Sequence, residues 1–253
     1  MGPIEISVIA FLFALVGVSL GILSRRMLPA DQLAPESKEV IKLSLGIVVT
    51  LSALVLGLLV ASAKSSYETR RSEINQISAG VVLLDYMLLA YGDNAKAARI
   101  ALREEIPLVV NRIWTEGQSA ASHKEPFKPL PKGEALYQHI LDLQPTNDAQ
   151  RELRARIVQL GNDLSQLRLL LFSHFGSSIP LPFLAVLLLW IIVLFAGFSL
   201  MAPATATPIT FLVICALSVS GAVFLVLELD QPFAGVMMIP SEPLRNALQP
   251  LNY

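Results

Sequence analysis

The sequence predicts an all-α integral membrane protein, with four transmembrane helices in two hairpins flanking a helical, coiled-coil-like extramembrane domain. Two observations carry the membrane assignment. The chain has 253 residues, of which 54% are hydrophobic and only 15% charged, with mean hydropathy +0.60, whereas soluble domains run near about 25% charged. The excess is gathered into runs of bilayer length. A third observation places a domain between the runs: two polar stretches keep apolar residues at alternating three- and four-residue steps, the signature of packed helices.

The first run, Ile6 to Ser24, is bounded by Glu5 and by Arg25 and Arg26. Positive charges after the apolar stretch, with no small-residue cleavage site, read as a retained helix rather than a signal peptide. Gly17 and Gly21 within it form a GxxxG pair suited to close helix approach. A short polar connection with Pro29 and Pro35 leads to the second run, Leu43 to Ala63, where Ala53, Gly57 and Ala61 repeat at four-residue spacing as a small-residue packing face.

No strong breaker intervenes between Lys64 and Gly80, so the second span continues as one helix out of the bilayer to about Ala90. Its seam is Tyr67, Ile74, Ile77, Val81, Leu84, Leu88 and Tyr91. Gly92 ends it, Asp93 serves as N-cap of a helix reaching about Glu116, and Pro107 is expected to kink that helix. A linker over 117–132 precedes a short amphipathic helix. Thr146 then caps a long helix whose seam is Leu153, Ile157, Leu160, Leu164, Leu167, Leu171 and His174. The two seams are expected to pack against each other.

Leu181 to Ala202 is the third span, and Pro203 to Pro208 is a tight uncharged turn. The fourth span starts at Ile209 and runs into Glu228 and Asp230, with Pro232 just beyond. The domains read as a first transmembrane hairpin (1–63), a helical extramembrane stalk (64–178), a second hairpin (179–230) and an interfacial tail (231–253). Cys215 lies alone in the last span, which excludes an intrachain disulfide and reads as a buried, inert thiol.

Orientation is close to a tie. Arg25, Arg26, Lys38 and Lys42 on the first loop oppose Lys64, Arg70, Arg71, Arg168 and Arg245 on the other side, four against five. The stalk side is left unresolved, with a lean to cytoplasmic.

The two carboxylates at the end of the fourth span are the sharpest functional clue. A helix C-terminus already carries partial negative charge, so acids there need a positive answer. Arg70 and Arg71 lie about two turns past the second span, and His174 closes the second seam. Glu228, Asp230, Arg70, Arg71 and His174 are therefore expected to form a polar belt. That belt is either ion-handling, as a charged rim, or a structural brace.

Three segments resemble a known family: Leu58 to Gln76 (LLVASAKSSYETRRSEINQ), Phe172 to Gly176 (FSHFG) and Leu217 to Leu248, the last combining Ser220-Gly221, Glu228-Leu-Asp230, Pro232-Phe233 and Gly235. The chain resembles bacterial membrane proteins of a bestrophin-like family of unknown function. The resemblance implies a multi-pass protein of the bacterial inner membrane. It also implies a distant likeness to bestrophins, anion channels with two membrane hairpins flanking helical cytosolic parts, assembled as pentamers.

Enzymatic templates are missing: no P-loop, HExxH, GxSxG elbow or strand-following GxGxxG occurs. His123 and His139 have no second-ligand pattern. The reading is thus of no catalytic residues, no metal and no cofactor, with a net charge of −1 giving no reason to expect nucleic acid. Expected partners are the lipid bilayer, further copies of the chain in a homo-oligomer, and inorganic ions. Two functions compete: an oligomeric ion (anion) channel, or a membrane-anchored scaffold or sensor that binds a protein through its stalk.

Overall fold

The computed structural model describes residues 2–29, 35–119, 131–173, 179, 181–203 and 205–247. The described residues are mostly helical, with no strand among them. They form α1 (Pro3–Met27), α2 (Pro35–Tyr91), α3 (Lys96–Ser119), α4 (Pro131–Leu141), α5 (Asp148–Ser173), α6 (Leu181–Met201), α7 (Ala206–Leu229) and α8 (Glu242–Asn246). Four of these, α1, α2, α6 and α7, are long and apolar enough to cross a membrane. At 57 residues, α2 is about 85 Å long, far more than one bilayer core requires.

The chain divides into two compact units, Met1–Ser66 with Ser177–Asp230, and Tyr67–Gly176 with Gln231–Tyr253.

In the first unit α1 is the central element. It packs along α6 and α7, which touch each other over very little of their length. The reason is written along its inner face: Ser7, Ala10, Ala14, Gly17, Val18 and Gly21 are buried, and five of these six are small. A Cβ on Gly17 would come within 2.6 Å of the Ile192 carbonyl and 3.0 Å of Phe195 Cβ. On Gly21 it would run into the Ala196 carbonyl and stand 2.9 Å from Leu200 N and Ser199 Cβ. Hydroxyls complete the contact: Ser199 Oγ donates to the Val18 carbonyl at 2.7 Å and Ser220 Oγ to the Ser7 carbonyl at 2.5 Å. In an apolar solvent such packing and interhelical hydrogen bonds replace the hydrophobic drive. On α2, Leu59 and Ala63 join the same core as Leu187, Val223 and Leu227.

Helix α7 starts three residues earlier than the sequence suggests, at Ala206. Pro208 sits in the first turn, where its missing N–H costs nothing. Cys215 is exposed, correcting the expectation of a buried thiol. The inner face of α7 is Ala216, Ser220, Val223 and Leu227, and position 215 falls about 100° off that line.

The second unit holds one apolar core. The first seam is its spine: Ile74, Ile77, Val81, Leu84, Leu88 and Tyr91 are buried, with Tyr67 packed alongside. From α5, Ile157 and Leu171 are buried and Leu153, Leu160, Leu164 and Leu167 pack against the core. A Cβ on Gly80 would lie 2.7 Å from Leu164 Cδ2, so the two seams do meet. Gly92 turns the chain with φ 99°, a left-handed geometry that favours glycine. A short 3₁₀ turn, Asp93–Ala95, rather than an Asp93 side-chain cap, then leads into α3. Helix α3 runs unbroken through Pro107. The cap of α5 is Asn147, whose Oδ1 accepts from Gln150 N at 2.7 Å, while Thr146 bonds the Gln150 side chain. Asn147 directly precedes the first helical residue, Asp148, so its side-chain oxygen reaches the first-turn N–H that Thr146, one residue earlier, does not.

The described residues of the tail, 231–247, group with this unit. Phe233, Ile239 and Leu244 are buried in its core. Trp114 Nε1 donates to the Ile239 carbonyl at 2.9 Å.

Candidate functional site

The acids at the end of α7 are deeply placed. Glu228 is 2% exposed and Asp230 6%. Asp230 is the C-cap, still near-helical at φ −74°, ψ −13°. Neither stands without a partner. Burial of ionisable groups demands pairing or hydrogen bonding, and both residues have interaction partners. Arg70, in the other unit, is 6% exposed, whereas Arg71 is exposed. The adjacent arginines differ because they lie about 100° apart on one helix, and Arg70 falls near the Ile74 side. His174 lies outside the described residues.

The two small-residue patterns also separate. Gly17 and Gly21 hold α1 against α6. Ala53, Gly57 and Ala61 are exposed, and a Cβ on Gly57 would meet open space. That face of α2 is opposite to Leu59, so it takes no part in packing among the described residues.

The second unit carries charges that sequence reasoning passed over. Arg99 grips Asp85 side-on, Nε to Oδ1 at 2.7 Å and Nη2 to Oδ2 at 2.9 Å, with Arg103 Nη2 at 3.5 Å. Burial alone would push the Asp85 carboxyl up. The hydrogen bond and charge of Arg99, joined by Arg103, outweigh that and hold it below its ordinary 3.8. The same hydrogen bond raises Arg99, against desolvation. A signal was available: Asp85 precedes Gly92 by seven residues and Arg99 follows it by seven, which a helical hairpin folded at Gly92 brings opposite each other.

Between α2, α3, α4 and α5 lies a cavity of about 490 Å³, walled by Val81, Ile106, Ile113, Ile140 and Leu164. Two charged residues reach its lining, Glu105 and Arg168, joined by Arg168 Nη1 to Glu105 Oε1 at 2.7 Å. They are 63 positions apart, and no local pattern links them. Among the described residues, no three His, Cys, Asp or Glu side chains come together as a metal site.

The chain matches the Bestrophin-like domain family over residues 11–244. It belongs to the bestrophin-like family. That match runs from within α1 to within α8, so it takes in all four apolar helices and the helical unit of this bestrophin-like protein. No curated protein and no solved structure matches it.

Proposed function

We propose that this bestrophin-like protein assembles as a homo-oligomer in the bacterial inner membrane and conducts small inorganic ions, anions foremost. The observation that carries the reading is the outward small-residue face of α2. Ala53, Gly57 and Ala61 are exposed and unused in packing among the described residues, yet such a face lets a second helix approach to backbone contact. Membership of the family supports the conducting role. The buried acids Glu228 and Asp230 act here as a brace at the end of α7, sensed by conduction only through the structure they hold. The extramembrane unit is assigned to the cytoplasmic side.

The test is reconstitution into liposomes with a chloride-flux assay, alongside the mass of the complex in nanodiscs. The reading expects a closed oligomer and anion flux. A monomer, or an oligomer that passes no common anion or cation, overturns it.

A second reading, a scaffold or sensor, is favoured by one specific feature. Leu83, Tyr86 and Leu89 are exposed at three-residue spacing along the extramembrane part of α2, a stripe suited to a partner helix. It predicts that substitutions on this stripe abolish function in cells while Gly57→Leu does not.

A further inference from the structure

We propose that the cavity of the second unit is a binding site for an anionic amphiphile, a monocarboxylate with a hydrocarbon tail. The carboxylate is taken by Arg168 and the tail by the apolar wall.

The proposal begins with an unfilled edge. A guanidinium offers five N–H donors in a planar fork, and its Nε/Nη2 side matches the two oxygens of a carboxylate. Arg99 in this same unit uses that edge fully on Asp85. Arg168 does not. Its contact with Glu105 goes through Nη1, and its Nε and Nη2 are buried with no acceptor. The Arg168 side chain is 19% exposed and Glu105 7%, so these donors cannot rely on bulk water. Leaving charged donors unmet in such a place is costly, and native interiors rarely do so.

The surroundings choose the ligand class. At about 490 Å³ the cavity falls in the range of small-molecule sites, which are apolar with a few placed polar groups. Val81, Ile106, Ile113, Ile140 and Leu164 offer a hydrocarbon tail nothing to hydrogen-bond. The polar side chains of the lining are Glu105, Tyr137, Ser165 and Arg168, and Ser165 Oγ is already committed to the Gly161 carbonyl at 2.8 Å. A neutral hydrocarbon would leave the guanidinium edge unmet, and a small inorganic anion would leave the apolar wall uncovered. A carboxylate on a tail satisfies both. The Nε/Nη2 edge is closed off from solvent, so binding turns the guanidinium about its terminal torsions to face the cavity. Glu105, the present partner of Nη1, remains next to the guanidinium and partly offsets the incoming charge.

The site is tested on the full-length protein in nanodiscs with a photoactivatable diazirine analogue of dodecanoate, competed by dodecanoate or by dodecanol, with crosslinks mapped by mass spectrometry. Labelling of α3 and α5 peptides is expected, with dodecanoate competing about tenfold better than dodecanol. Arg168→Gln should erase that preference. Glu105→Gln, which strips the counter-charge, should strengthen competition by dodecanoate, a gain that a merely structural role would not give. Gly161→Leu, whose side chain would enter the cavity next to Ile140, should abolish labelling by filling the space. If the arginine variant fails to fold, the carboxylate-to-alcohol ratio on the wild type and the Glu105→Gln gain decide the matter. Labelling confined to the membrane helices, or equal competition by acid and alcohol, overturns the proposal.

Discussion

Trp114 and Phe233 meet edge to face, their ring centroids 5.8 Å apart and their planes at 81°. This contact, with the hydrogen bond from the indole to Ile239, ties the tail after α7 to α3. Trp114→Phe keeps most of the apolar volume but loses the donor. It should cost about 1 kcal/mol from the hydrogen bond, while Trp114→Ala should cost about 3–5 kcal/mol. Thermal unfolding in detergent measures both. A tail that merely lay on the surface would give near-zero values for each.

The two glycine patterns predict opposite failures. Gly21→Leu pushes a side chain into the α6 backbone, which has no flexible end to yield, and should cost at least about 3 kcal/mol or prevent folding. Gly57→Leu meets open space and should leave the monomer's melting temperature within a degree or so of the wild type, roughly the span of a neutral surface change. Its effect is expected in the mass of the assembled particle, read by native mass spectrometry. A destabilised Gly57→Leu monomer would contradict the exposed position of that face.

Asp85 supplies a pH signature. Its folded carboxyl lies below the ordinary 3.8, so its ion pair with Arg99 contributes fully above the unfolded value. The contribution is lost as pH falls through the lower folded value. At neutral pH Asp85→Asn should lose about 2 kcal/mol, typical of a partly buried charged hydrogen bond. The gap between variant and wild type should close only at strongly acidic pH. Urea unfolding at a series of pH values tests this, and a gap that closes near neutrality would refute the assignment.

The acids of α7 separate brace from pore. Glu228→Gln removes a charge from a buried, partnered position and should cost about 3–5 kcal/mol, seen as a lower melting temperature. A rim residue would instead change ion selectivity and leave stability within roughly 0.5 kcal/mol. Stability and flux measured on the same preparation distinguish the two.

Much of this architecture was legible because it is periodic. Each apolar run of bilayer length became a helix that could cross a membrane, and the seam from Ile74 to Tyr91 is buried throughout because one helical stripe can face only one core. Gly17 and Gly21 were visible as a motif, but Ser7, Ala10 and Ala14 extend the same face and were not singled out. What escaped notice depends on pairing across long separations. Nothing near Glu105 announces Arg168, and spacing does not tell which of two small-residue faces meets its own chain. The sequence left Glu228 between a charged rim and a brace, because a carboxylate in the last turn of a helix has the same local pattern whether its partner is solvent, an ion or another side chain. The α5 cap moved by one residue for a local reason, the competing reach of Thr146 and Asn147.

The outward placement of Cys215 turns a curiosity of composition into a tool. Each chain carries a single thiol, and it points away from its own helix packing on α7. A spin label or fluorophore attached there needs no cysteine-free background. In an assembly of identical copies every label occupies an equivalent position. Dipolar spectroscopy would then read a small set of separations whose ratios report the rotational symmetry directly, without a crystal and within a native-like lipid disc.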